Sequence, residues 1–228
     1  MGSQHEAFRF TKLLHTPGGR ARAWANSLLV DHAVLRLAWS NFAVVVPGRL
    51  YRCNHPTPGL LAAMTHRLGL KTVVNLRGVT GNGSDALSRE AAARLGLDFI
   101  DAPLKSRFAP PRARVLRLIE AMRTMREPAL IHCKSGADRA GLAAAIFLLL
   151  QGETVARARK QLSWRFGHVA HADSGVLMAL LRLYEREAEG RLDFAEWVRA
   201  EYDPAALDRA GRAGKVARFI NDRVLRRE

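Results

Sequence analysis

A short segment between a predicted buried strand and a predicted apolar helix combines a cysteine, small residues and an arginine. It reads His132-Cys133-Lys134-Ser135-Gly136-Ala137-Asp138-Arg139 and is named the Cys133 loop here. Successive backbone N–H groups between a strand and a helix N-terminus form an anion site before any side chain is counted. The small residues from Ser135 to Ala137 let the backbone close around a tetrahedral anion. The segment therefore predicts a phosphate site formed by residues 134–139.

The cysteine and the arginine of this loop are suited to phosphoryl transfer. The positive field of the loop favours the thiolate of Cys133, which is the nucleophilic form. Arg139 can bind two phosphate oxygens in a bidentate manner. Attack of the thiolate on phosphorus would give a phosphocysteine that water then hydrolyses, while the N–H groups and Arg139 stabilise the equatorial oxygens. Because Arg139 and the backbone supply the positive charge, we expect neither a metal ion nor another cofactor.

The Cys133 loop and its surroundings resemble the protein-tyrosine phosphatase superfamily. The pattern His132-Cys133-x5-Arg139 is similar to the signature loop of its small dual-specificity-like branch, and residues 46–52 and 72–78 are similar to the opening of bacterial members. The resemblance extends over roughly residues 47–188. It implies a phosphoric monoester hydrolase of the protein-tyrosine or dual-specificity type that works through a phosphocysteine intermediate.

The resemblance also implies a general acid that protonates the leaving oxygen, and two aspartates are candidates. In many relatives the acid lies in the loop after the strand that matches residues 98–102, but residues 103–110 contain no carboxylate and Asp101 precedes them. Asp138 lies inside the Cys133 loop, an arrangement similar to myotubularin-like lipid phosphatases and some bacterial phosphatases. We favour Asp138 and keep Asp101 as the alternative; their non-catalytic roles would be a helix N-cap and a polar strand end.

The residue after Arg139 departs from the family pattern. Relatives usually carry Ser or Thr there, and its hydroxyl assists the second step, whereas this chain has Ala140. We therefore expect slow hydrolysis of the phosphocysteine. The same departure keeps open a function of another class, a non-catalytic pseudophosphatase that binds phosphate. A rhodanese-like sulfurtransferase is disfavoured by the spacing to Arg139 and by His132.

Further side chains are expected around the rim of the phosphate site, because loops at the carboxyl ends of parallel strands converge. In phosphoinositide-directed relatives a lysine at the position of Lys134 faces additional phosphates. The other predicted rim residues are Arg77, Lys105, Arg107 and His168. These residues keep open an alternative substrate class of phosphoinositides, other phospholipids or inositol phosphates.

The elements that position the loop follow from an alternation of strand and helix patterns. Strands are expected at 50–52, 71–76, 98–102 and 129–132, and helices at 58–68, 85–95, 111–126, 141–150, 154–162 and 173–188. This succession predicts an α/β fold with a central parallel or mixed β-sheet flanked by helices, plus extra N- and C-terminal helices. We expect an N-terminal arm and amphipathic helix in residues 1–46, a phosphatase domain in 47–190 and a helical extension in 191–228. The N-terminal helix, at 20–39, should pack on the core.

Composition limits the partners and the compartment. The 228 residues include 36 Lys and Arg, 21 Asp and Glu and two Cys, for a net charge of +15. This charge should attract a phosphorylated protein or an anionic phospholipid or inositol phosphate, and it leaves peripheral contact with a membrane open. Nucleic acid is not expected, because no binding motif accompanies the charge. Two cysteines suit a reducing cytosol, so we expect a cytoplasmic protein that could also lie on the inner membrane surface.

Overall fold

A five-stranded mixed sheet forms the centre of the protein. The computed structural model describes residues 9–31, 39–168 and 175–207. The strands are β1 (Ala43–Val46), β2 (Leu50–Cys53), β3 (Thr72–Asn75), β4 (Asp98–Asp101) and β5 (Ala129–His132). They lie in the order β1-β2-β5-β3-β4, with β1 antiparallel to β2 and the other neighbours parallel. The predicted α/β fold with a central mixed sheet is confirmed.

Several α-helices with bounds defined by the described residues accompany the sheet. They are α1 (Arg9–Leu13), α2 (Gly19–Ala25), α3 (Pro58–Leu68), α4 (Gly83–Arg94), α5 (Arg112–Thr124), α6 (Asp138–Leu150), α7 (Val155–Ala158), α8 (Gly175–Glu187) and α9 (Phe194–Ala200). A π-helical turn, Asn26–Val30, continues α2, and two 3₁₀ turns, Arg159–Gln161 and Trp164–Phe166, follow α7.

Alternation of side chains along the strands gives the sheet two buried faces. Leu50 and Ile131 face the larger core cluster, which contains residues of α5, α6, α8 and α9. Tyr51 and Leu130 face the opposite cluster, with residues of α3 and α4. Parallel strands covered on both faces consist mainly of apolar residues, as β5 does. The sheet is therefore a rigid support for the loops at its carboxyl edge.

Local signals define several element ends as the sequence predicts. The hydroxyl of Thr57 accepts a hydrogen bond from the Leu60 N–H at 3.3 Å, and Gly69 ends α3 with a φ of 65°. Helix α6, by contrast, begins at Asp138, three residues before the predicted start. Asp138 and Arg139 therefore project from the first helical turn. Strand β1 was not predicted.

The segments outside the expected phosphatase domain pack against it. At the N-terminus the carboxamide oxygen of Asn26 accepts a hydrogen bond from the Gly83 N–H at 2.8 Å, and a Cβ on Gly83 would lie 2.0 Å from the Ala23 carbonyl oxygen. Of the predicted helix at 20–39, residues 20–30 are helical as α2 and the π-helical turn, Asp31 and Trp39 are not helical, and residues 32–38 lie outside the described part. At the C-terminus Trp197 of α9 is fully buried. The described parts of both segments thus belong to the folded body.

No helix within the described residues combines the length and apolar character that crossing a membrane requires.

Candidate active site

The Cys133 loop joins the end of β5 to the start of α6. Cys133 is only 1% exposed, and the Gly136 N–H donates to its Sγ across 3.2 Å. An N–H group aimed at sulfur stabilises negative charge on that sulfur. The loop therefore holds the thiol at its base, as a nucleophile in an anion site must be held.

Gly136 allows the loop to lie directly against β2. Its φ is +77°, a conformation that residues with a side chain rarely adopt. A Cβ there would lie 2.8 Å from both the Cys53 carbonyl carbon and the Asn54 nitrogen. Since β2 and β5 pair with Cys53 opposite His132, the loop turns over the end of its neighbouring strand.

Arg52, a fully buried arginine of β2, holds the loop from below and was missed by sequence reasoning. Its guanidinium donates to the carbonyls of Gly136 (2.6 Å) and Ala137 (3.0 Å). It also donates to the Gln161 carbonyl at 2.7 Å and lies 4.1 Å from the centre of the Phe166 ring. Burial lowers the pKa of Arg52 to about 10, so the side chain keeps its charge at neutral pH. Arg52 therefore orients two loop carbonyls and places a positive charge beneath the anion site.

Asn41 is a second support that the sequence did not reveal. Its side chain is buried, and its Nδ2 donates to the Ser135 carbonyl (2.9 Å) and the Phe166 carbonyl (3.0 Å). It thus ties the loop to the 3₁₀ turn at residues 164–166. A charged residue inside the otherwise buried β2 was a signal for Arg52, but no local pattern identified Asn41.

Asp138 lies in the first turn of α6 and is paired with a histidine from a distant segment. Its Oδ1 is 2.7 Å from the Nδ1 of His168. The His168 ring is buried, and its Nε2 has no hydrogen-bond partner among the described residues. The Asp138 side chain is 28% exposed. The structure therefore brings the favoured acid, the residue before Arg139, together with a predicted rim residue.

Asp101, the alternative acid, belongs to a network at the end of β4. Its Oδ1 accepts hydrogen bonds from the Asn75 Nδ2 at 2.9 Å and the Arg89 Nη2 at 2.8 Å. Arg89 also donates to Asp85 at 3.0 Å. Burial raises the pKa of Asp85, and the charge of Arg89 opposes that rise. Asp101 thus links β4 to β3 and α4.

Arg139, the predicted phosphate-binding arginine, and the predicted rim residues differ in how far their charges are paired. No hydrogen bond or ion pair joins the Arg139 side chain to another described residue. Arg77 is paired with Asp31 at 2.8 Å, and the Lys134 Nζ lies 3.7 Å from the same carboxylate. The other two predicted rim cations are exposed on the loop after β4: Lys105, 5.6 Å from the Phe108 ring centre, and Arg107.

The second cysteine differs from the first. Cys53 is fully buried and donates its S–H to the Asn54 carbonyl at 2.9 Å. Burial raises the pKa of Cys53, so it stays a neutral thiol. Among the described residues no three His, Cys, Asp or Glu side chains are grouped to hold a metal ion.

Comparisons with known proteins agree with this geometry. Residues 39–188 match the family model PTP-SAK, described as "Swiss Army Knife protein, DSP-PTPase phosphatase domain". None of the curated protein sequences compared with the chain matched it.

Two solved structures illustrate the likeness of fold. TpbA of P. aeruginosa is 24% identical, with a TM-score of 0.50 over 64% of this chain and 91% of TpbA. The core catalytic domain of the S. cerevisiae PP-IP phosphatase SIW14, in complex with citrate, is 19% identical, with a TM-score of 0.51 over 64% of this chain and 91% of that domain. The family model covers well over half of the 228 residues. The chain therefore belongs to the PTP-SAK family of dual-specificity-type phosphatase domains, within the protein-tyrosine phosphatase superfamily.

Proposed function

We propose that the chain hydrolyses phosphomonoesters of the protein-tyrosine or dual-specificity type through a phosphocysteine on Cys133. The observation that carries this proposal is the position of the Cys133 Sγ at the base of the loop, 3.2 Å from the Gly136 N–H. Arg139, unpaired with any described residue, projects from the first turn of α6, which follows the loop. Together they provide a nucleophile and a bidentate ligand for the same phosphate.

In the first step the Cys133 thiolate attacks phosphorus and the ester P–O bond breaks. Asp138 transfers a proton to the leaving oxygen, and the loop N–H groups and Arg139 hold the three remaining oxygens. His168 keeps the Asp138 carboxyl in place through the 2.7 Å contact. Arg52 contributes by fixing the two loop carbonyls, so that their dipoles point away from the phosphate.

In the second step water attacks the phosphocysteine and the S–P bond breaks. Asp138, now a carboxylate, takes the proton from water, and inorganic phosphate leaves while Cys133 returns to the thiolate. Ala140 is fully buried and brings no hydroxyl to this step. We therefore expect hydrolysis of the phosphocysteine to limit turnover.

The substrate class that we propose is a phosphorylated protein side chain. The fold is shared by TpbA and by the PP-IP phosphatase SIW14, so fold alone does not choose among phosphoproteins, inositol phosphates and phospholipids. A panel of a phosphotyrosine peptide, inositol phosphates and phosphoinositide vesicles, assayed beside an aryl phosphate, separates these classes. Binding to anionic vesicles that weakens with salt would point to the phospholipid and a peripheral membrane location.

The mechanism is tested with Cys133→Ser. We expect this variant to lose turnover of p-nitrophenyl phosphate and to keep binding vanadate, while the Cys53→Ala control stays active. In the unmodified protein a rapid burst of nitrophenol, about one per enzyme, should precede the slower steady state. Turnover by Cys133→Ser would exclude the mechanism, and phosphate binding without turnover of any substrate would favour the pseudophosphatase.

A further inference from the structure

We infer that Asp31 determines specificity at this site by withdrawing Arg77 from the rim and restraining Lys134. The enzyme then favours substrates with a single phosphate over those that carry a second phosphate beside the scissile one. The inference rests on the proposed function and concerns which phosphomonoesters the same site accepts.

Arg77 leaves the sheet beside the nucleophile. Asn75, the last residue of β3, pairs in register with His132, the last residue of β5. Arg77 follows two residues after Asn75, and Cys133 follows directly after His132. Since the two strands are neighbouring and parallel, an arginine at position 77 starts from the edge where a substrate phosphate must bind.

Asp31 holds the Arg77 guanidinium in a bidentate, buried ion pair. Both terminal nitrogens of Arg77 donate to the two Asp31 oxygens at 2.8 Å, and the side chains are only 8% and 5% exposed. One of these nitrogens also lies 3.1 Å from the His55 Nδ1. Removing one partner of a buried pair is costly, so a substrate phosphate would have to compete with a satisfied carboxylate. Arg77 is therefore not available to a second phosphate.

The same carboxylate attracts Lys134, the residue that follows the nucleophile. The Lys134 Nζ lies 3.7 Å from the Asp31 Oδ1, although its side chain is 48% exposed. The Lys134 carbonyl accepts a hydrogen bond from the His55 N–H at 3.3 Å, which fixes the backbone beside this cluster. One negative charge thus offsets part of the charge of two cations next to the phosphate site.

Asp31 is supplied by a segment that precedes the family domain. The family match begins at residue 39, whereas Asp31 directly follows the π-helical turn Asn26–Val30. That turn is anchored on α4 by the Asn26 contact with Gly83 and by a 2.7 Å hydrogen bond between the Ser27 and Ser84 hydroxyls. The carboxylate is therefore positioned by this chain's own N-terminal segment.

The decisive experiment compares Asp31→Asn with Asp98→Asn. Asn keeps the size and removes the charge, and Asp98 provides a matched control because it pairs with Arg126 at the opposite, amino-terminal end of β4. The readout is kcat/KM for an inositol polyphosphate with adjacent phosphates, divided by kcat/KM for a phosphotyrosine peptide. We expect Asp31→Asn to raise this ratio about tenfold, because the charges of Arg77 and Lys134 are then no longer offset by the carboxylate and can attract the second phosphate. Asp98→Asn should leave the ratio unchanged.

Lys134→Gln tests the inference even if Asp31→Asn does not fold. A thermal unfolding measurement shows whether Asp31→Asn is folded. With Asp31 present, Lys134→Gln should change the ratio by less than about twofold, since the Asp31 carboxylate offsets the charge of the lysine. A tenfold fall would show that Lys134 already binds a second phosphate and would overturn the inference. An unchanged ratio in folded Asp31→Asn would overturn it too, while leaving turnover of the peptide intact. Absence of turnover of every phosphomonoester by the unmodified protein would instead refute the proposed function and this inference together.

Discussion

Asp101 and Asp138 occupy two regions at the carboxyl edge of the sheet, and both side chains are 28% exposed. Asp101 ends β4 and shares one oxygen between Arg89 and Asn75. Asp138 begins α6 and contacts a single imidazole, that of His168, on the residue next to Arg139. Two donors from neighbouring elements therefore hold Asp101 within the network at the end of β4, whereas Asp138 has one imidazole partner. Partners, rather than exposure, distinguish the two.

The two regions also differ in the property that a substitution should change. The region of Asp101 connects β3, β4 and α4 through the side chains of Asn75, Asp101 and Arg89, so a change there should act on the stability of the fold. The region of Asp138 borders the nucleophile, so a change there should act on the reaction. Activity and stability can therefore be separated by matched substitutions at the two aspartates.

The largest effect is expected from Asp138→Asn. Without its proton donor the enzyme should lose about 10² to 10⁴-fold in kcat/KM, which reports formation of the phosphocysteine, on alkyl phosphates, whose leaving oxygen needs protonation, and far less on p-nitrophenyl phosphate. The measurement is a series of phosphomonoesters with progressively poorer leaving groups, assayed beside Asp101→Asn. If Asp101→Asn instead gave the steep dependence on the leaving group, the assignment of the two aspartates would be reversed.

A smaller effect is expected from His168. His168→Ala removes the hydrogen-bond partner of Asp138, and we expect kcat/KM for substrates with poor leaving groups to fall about tenfold, because the acid is mispositioned. His168→Asn places an amide nitrogen near the position of Nδ1 and should recover most of that loss. Equal losses in the two variants on good and poor leaving groups alike would mean that the buried ring serves only packing.

The sequence predicts the features of this site that arise from neighbouring residues. The Cys133 loop needs only a strand, small residues and a helix start, and all of these lie within one stretch of chain. The supports of the loop depend instead on tertiary contacts. Arg52 reaches carbonyls 84 and 85 residues away, and Asn41 reaches one 94 residues away. The ion pair of Asp31 with Arg77 likewise required the N-terminal segment to dock on α4.

The partners of the two aspartates also depend on tertiary contacts and could not be predicted from neighbouring residues. The pattern of the loop favoured Asp138, but its histidine lies 30 residues further along and was predicted only as part of the rim. No local pattern around Asp101 indicated that Arg89, which lies in the preceding helix α4, would pair with it. Pairing between side chains decides the role of a carboxylate, and such pairing follows from the fold.

The smallest effect on activity is expected from Asp101→Asn. The substitution keeps an oxygen that can accept from Asn75 but removes the charge that pairs with Arg89, a partly exposed pair that contributes about 1 kcal/mol. We expect the midpoint of urea unfolding to fall accordingly, while kcat/KM for substrates with good and with poor leaving groups stays within about twofold. Arg89→Met offers an independent check, because it breaks the same pair from the other side and should also lower stability without affecting leaving-group dependence. A selective loss on poor leaving groups in either variant would place the β4 network within the chemistry, since a purely structural ion pair has no means of distinguishing one leaving oxygen from another.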